Sequence, residues 1–101
     1  MKNYKITILK QALNDLDELS CFISDVYKAP LTAKRYTEGL MFEIRSLSKH
    51  AESIPVSHNK SVLHYGINTR RINFKKHTVI YTVRGNTVII RKIIIAALLK
   101  S

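Results

Sequence analysis

Two β-rich runs, Thr78–Val83 and Thr87–Ile95, meet at Gly85-Asn86 and organise the last third of the chain. Val, Ile, Thr and Tyr fill both runs, and such side chains suit a pleated, half-buried surface. The Gly-Asn step accepts the backbone of a tight hairpin turn. Just upstream, Tyr65–Phe74 reads as a third strand with an irregularity at Asn68-Thr69. No acidic residue occurs from Tyr65 to Ile95, so the expected antiparallel sheet has a cationic rim. The rest of the chain is expected to be its helical cover.

Tyr4–Leu9 alternates with period two and predicts a first strand, with Ile6 and Ile8 on one face. From Gln11 to about Tyr27 the period lengthens. Ala12, Leu16, Leu19, Ile23, Val26 and Tyr27 form one apolar helical stripe, with Asp17, Glu18, Cys21 and Asp25 roughly opposite. The acidic residues lie early in this helix, where the dipole favours them. Lys28-Ala29-Pro30 breaks the helix, because Pro disfavours a helical residue before it. A second amphipathic helix runs from Leu31 or Thr32 to about Ala51, started by Thr32 as cap or by Pro30 in the first turn. Its stripe is Ala33, Tyr36, Leu40, Ile44, Leu47 and Ala51, and Gly39 inside it costs ~1 kcal/mol unless close packing uses it. Met41 and Phe42 lie off the stripe. They either touch the sheet, or Phe42 anchors a partner. Ala51–Ser61 reads as a loop, and Ala96–Ser101 either extends the last strand or starts a helical turn.

These elements predict one α+β domain spanning 1–101. An N-terminal strand and a two-helix hairpin pack on a mixed, mostly antiparallel sheet of four to five strands. The net charge of +10 is segregated. Residues 1–52 contribute +1 and include all seven acidic side chains, whereas residues 53–101 contribute +9. A one-sided field of this kind favours an anionic partner: nucleic acid, an acidic protein segment or a membrane surface. A single cysteine, Cys21, allows no internal disulfide and fits a reducing cytosol; its place opposite the stripe predicts an incidental surface thiol. No signal-peptide core is evident, and Ile93–Leu99, the longest apolar run, is far short of the ~20 residues that span a membrane. A cytoplasmic protein without membrane association is expected.

Little in the chain suggests cofactor chemistry. Asp15, Asp17 and Glu18 are scattered around a helix and read as a solvated face. His50, His58, His64 and His77 lack metal-ligand spacing. Neither a glycine-rich phosphate loop nor a nucleophile motif occurs. The cationic sheet remains, with Arg70, Arg71, Lys75, Lys76, Arg84, Arg91 and Lys92 interleaved with His64, Tyr65, His77 and Tyr81. Strand alternation puts Arg70 and Arg71 on opposite faces, and His77 and Tyr81 on one face with Val79. Basic groups with aromatics between them suit phosphate contact and base stacking. They also suit metal-free RNA cleavage, in which Arg or Lys stabilises a charged phosphorane and His or Tyr moves a proton. The bland alternative is a basic strand edge that discourages aggregation.

The chain resembles the RelE/ParE superfamily of bacterial type II toxin–antitoxin toxins. The resemblance rests on the first strand followed by Ala12, Asp15-Leu16 and Ile23, then Ala33, the Leu47…Pro55 step, Gly66 and Arg70/Arg71. Above all it rests on HTVIYTV (77–83) followed by TVIIRKI (87–93). It covers nearly the whole chain. It implies a basic toxin, often tied to plasmid stabilization, held in a heteromeric complex by an acidic antitoxin. RelE-like members cut messenger RNA on the ribosome with Lys and Arg plus a Tyr or His near the C-terminus; ParE-like members inhibit DNA gyrase and lack that set. The tail IIIAALLKS carries no such His or Tyr, and Ile94–Ala97 stands where polar or basic residues are usual in ParE-like members.

The reading is therefore a ParE-like toxin that acts by contact on gyrase, with no cofactor and no metal. Tyr36, Phe42, Arg84, Arg91, Lys92, Leu98 and Leu99 are the candidate antitoxin or target contacts. The alternative is a ribosome-dependent endoribonuclease using Arg70, Arg71, Lys75, Lys76, His77, Tyr81 and Arg84. A third reading is a basic nucleic-acid-binding module without toxic action.

Overall fold

The computed structural model describes residues 3–98, apart from the side chains of Ser61 and Leu98. Strand β1 (Lys5–Ile8) leads into helices α1 (Lys10–Val26) and α2 (Pro30–His50). After a 3₁₀ turn at Ala51–Ser53 come the short helix α3 (Lys60–Leu63) and strands β2 (Arg70–Phe74), β3 (His77–Arg84) and β4 (Thr87–Ile95). The sheet order is β1-β4-β3-β2, with β1 parallel to β4 and both later pairs antiparallel. The mixed four-stranded sheet under a helical hairpin agrees with the α+β architecture predicted from the sequence.

Local chemistry sets the boundaries. Pro30 occupies the first turn of α2, as its fixed φ allows. Lys28 before it takes φ 53° and turns the chain between the helices. Gly85 at φ 60° closes the β3–β4 hairpin. One face of the sheet packs on the helices. Leu40, Ile44, Leu47 and Ala12 meet Val79, Tyr81, Val88, Ile90 and Ile93, all buried. Gly39 serves close packing: a β-carbon there would stand 2.7 Å from Phe74 Cζ.

The structure departs from expectation in four places. The strand expected over Tyr65–Phe74 is only Arg70–Phe74, because residues 60–69 fold as α3 and a turn. Val62 and Thr69 are fully buried, and Gly66 (φ 150°) approaches Thr82, so this segment covers the second face of the sheet. Val26 and Tyr27 belong to no core; they are 58% and 67% exposed where α1 overhangs the end of β4. The first turn of α1 holds no acidic residue, so dipole pairing there does not occur. Finally, a bulge at Arg91 breaks the alternation of β4: Ile80 pairs with Lys92, whereas Tyr81 pairs with Ile90. Val88 and Ile90 before the bulge, and Ile93 after it, therefore all face the helices. Of the undecided tail, Ala96–Leu98 form a 3₁₀ turn, and 99–101 lie outside the described residues.

Candidate functional site

Beyond Ile8, β4 loses its partner strand, and α1 completes that edge with side chains. Gln11 Nε2 donates to Arg91 O at 2.8 Å, and Ile93 N donates to Asp15 Oδ2 at 3.0 Å. Asp15 Oδ1 also accepts from Lys92 Nζ at 2.8 Å. This bond is the chief reason the Lys92 ammonium is held above its ordinary pKa. Asp15 is thus no solvated residue, and Lys92, a candidate partner contact, is already engaged within the chain. Its spacing from the bulge, which no sequence period reveals, explains why its role escaped sequence reasoning.

Past this point the edge of β4 opens into a groove of about 950 Å³. Leu19, Phe22 and Ile23 of α1, Tyr27 of the link and Ile93–Ile95 of β4 give it an apolar floor and wall. Phe22, Val26, Tyr27, Leu31 and Ile95 leave large exposed apolar surface in or beside it. Such concentrations mark contact sites. The sequence held a signal for it: five large apolar residues within ten positions, 22–31, exceed what a hairpin tip can bury.

Tyr36, Lys76 and His77 close one end of the groove. Tyr36 Oη lies 2.7 Å from His77 Nδ1, and the rings meet edge to face. Burial lowers the His77 pKa, so the imidazole is neutral at pH 7; burial is also the chief cause that raises Tyr36. Lys75 Nζ stands over the rings of Tyr36 and Phe74, 5.6 Å and 5.4 Å from their centroids.

The other candidate residues scatter. Tyr81 is fully buried, donates to Ala51 O at 2.7 Å, and is pushed up to about 12 by burial. It is a core residue and cannot serve as an acid or base at a scissile phosphate. Arg70 lies toward the helices, its guanidinium donating to the carbonyls of Glu52 and Ile54. Arg91 donates to Thr82 Oγ1. Arg71 lines a shallower cleft of about 480 Å³ with Ile54–Asn59. Arg71, Arg84 and Arg91 share the face of the sheet opposite the helices, so the sheet stands between them and His77. Phe42 is 71% exposed and does not line the groove. The Leu98 side chain and Leu99 lie outside the described residues. Among the described residues, no group of His, Cys, Asp or Glu is placed to hold a metal, and no helix is long and apolar enough to cross a membrane.

Comparison with known proteins accords with this architecture. Residues 6–97 match the family described as the ParE toxin of type II toxin-antitoxin system, parDE. The structure is similar to one described as the chromosomal ParDE TA system from P. aeruginosa, with a TM-score of 0.77 and 15% identity. That match covers 91% of this chain and 95% of the other. No curated protein matches. The family match spans nearly the whole chain and agrees with the resemblance carried by the β3–β4 hairpin: this chain belongs to the ParE toxins of type II toxin–antitoxin systems.

Proposed function

We propose that the chain is a cytoplasmic growth-inhibiting toxin that acts by protein contact on DNA gyrase and is neutralised by an acidic antitoxin. The observation that carries the contact mechanism is the separation of the candidate catalytic arginines from the candidate acid or base. His77 sits on the helix side with Lys75 and Lys76 nearby, whereas Arg71 and Arg84 sit on the other face, Arg70 is engaged by two backbone carbonyls and Tyr81 is buried. A general acid or base must reach the same atoms that the phosphate-binding cations hold. A single scissile phosphate does not touch both faces of this sheet.

The antitoxin reading is supported by the groove beside β4. Surface ion pairs contribute only ~0–1 kcal/mol each, so a tight neutraliser must also cover apolar surface. Phe22, Tyr27 and Ile95 present that surface, with Lys76 and Tyr36 at its end for an acidic residue. An amphipathic antitoxin helix or strand fits there, and Phe42 offers a second contact on the outer side of α2.

One arrangement favours a second reading. Tyr36, His77, Lys75 and Lys76 converge, and such a set resembles a proton-transfer site with nearby cations. Induced expression in bacteria, with and without the neighbouring antitoxin gene, separates the two. Contact inhibition of gyrase predicts growth arrest with a DNA-damage response, relieved by the neighbour. Translation collapse within minutes, lost in His77→Gln, would instead establish the ribonuclease.

A further inference from the structure

The most exposed large apolar side chain among the described residues is Ile67, at 88%. It stands at the tip of the turn that covers the second face of the sheet, far from any helix stripe. An isoleucine in water gains nothing for the fold, yet its turn is held firmly. Gly66 and Asn68, on either side, take φ of 150° and 58°. The Thr69 hydroxyl donates to Gly66 O, Gly66 N donates to Leu63 O, and Ser57 N donates to Thr69 O. Val62 and Thr69, fully buried, fasten both ends of the turn to the sheet.

The surroundings are cationic. Arg71, Arg84 and Arg91 share this face, and no acidic residue occurs from position 53 to the end of the chain. Arg91 reaches the turn itself, its Nε 3.7 Å from where a β-carbon on Gly66 would lie. A rigid apolar knob on a face that carries arginines and no acidic residue of the late strands complements an apolar socket on an acidic protein surface. None of Ile67, Arg71, Arg84 and Arg91 lines the groove along the edge of β4, so the two surfaces share no lining residue.

We infer that the Ile67 turn is the target-recognition element of the toxin, inserting Ile67 into an apolar socket on a negatively charged region of the target protein. The inference rests on the reading of the chain as a contact toxin. It adds the surface through which contact occurs and separates it from the antitoxin surface.

The test compares the wild-type chain with Ile67→Asp and Ile67→Ala. Binding to purified DNA gyrase holoenzyme, binding to the antitoxin and thermal stability are measured, together with growth arrest at matched expression. The side chain is exposed, so both variants fold and keep antitoxin affinity and Tm. Gyrase affinity falls about tenfold or more for Ile67→Ala, the scale of an interface anchor, and further for Ile67→Asp. Unchanged gyrase binding by both variants overturns the inference. If the wild type does not bind gyrase, the gyrase reading fails, and growth arrest then decides: arrest lost in Ile67→Asp upholds the turn as the target contact, and arrest retained overturns it. A wild-type chain that neither binds gyrase nor arrests growth overturns both.

Discussion

At the scale of single residues, position in the sheet decides which polar groups serve the fold and which face a partner. Tyr81 and His77 share one face of β3, four residues apart. Tyr81 falls under the end of α2 and binds Ala51 O, whereas His77 falls under the start of α2 and borders the groove. Tyr81→Phe removes a buried hydrogen bond to the Ala51 carbonyl, so stability in urea melts falls by about 1 kcal/mol. Toxicity at a temperature where the variant is folded stays at the wild-type level. A catalytic Tyr81 would show the reverse, with toxicity lost and stability kept. Arg70 is likewise spent on two carbonyls. Nothing in the sequence distinguishes Arg70 from Arg71 beyond their opposite faces, because the carbonyls that claim Arg70 lie 16 and 18 residues away.

At the scale of elements, the most instructive junction is where α1 replaces β1 along the edge of β4. Asp15 both accepts Ile93 N and pairs with Lys92. Asp15→Ala removes both interactions from a carboxylate whose side chain is only 13% exposed and is expected to cost about 2–3 kcal/mol. Lys92→Met removes only the ion pair, from a side chain 30% exposed, and costs no more than about 1 kcal/mol. Comparing the two unfolding free energies isolates the bond to the bulged strand. The contact between α2 and β3 gives a pH dependence. Burial lowers the folded pKa of His77 below its ordinary 6.5. The unfolded chain therefore binds this proton first, and stability falls as pH drops below about 6.5 and through the folded pKa. His77→Gln flattens that part of the stability-versus-pH curve; an unchanged slope would contradict neutral His77 in the fold. Most elements were legible: periods of two and about 3.6 marked β1, α1, α2 and the β3–β4 hairpin, and Pro30 and Gly85 marked their ends. The 60–69 segment was not, because Val62 and Thr69 bury against the second face of the sheet without strand pairing while Ile67 between them stays exposed. The bulge at Arg91 was hidden too, since one inserted residue in a run of Ile leaves the sequence pattern unchanged.

At the scale of the whole molecule, the sheet divides two surfaces of different chemistry. Helices α1 and α2 carry six of the seven acidic residues, and α1 and β4 border a large apolar groove; the face opposite the helices holds arginines and the Ile67 turn. Charge segregation is legible in the sequence alone, but only the fold sets the apolar groove beside β4 apart from the arginines of the opposite face. As proposed above, this toxin inhibits gyrase by contact and not by cutting RNA. DNA supercoiling by purified gyrase, with the purified chain added alone and after preincubation with its antitoxin, decides between the two. Contact inhibition gives a loss of supercoiling that rises with toxin concentration, disappears with antitoxin, and persists in Tyr81→Phe. Undiminished supercoiling, with messenger RNA cleaved on ribosomes by the same preparation, would contradict it.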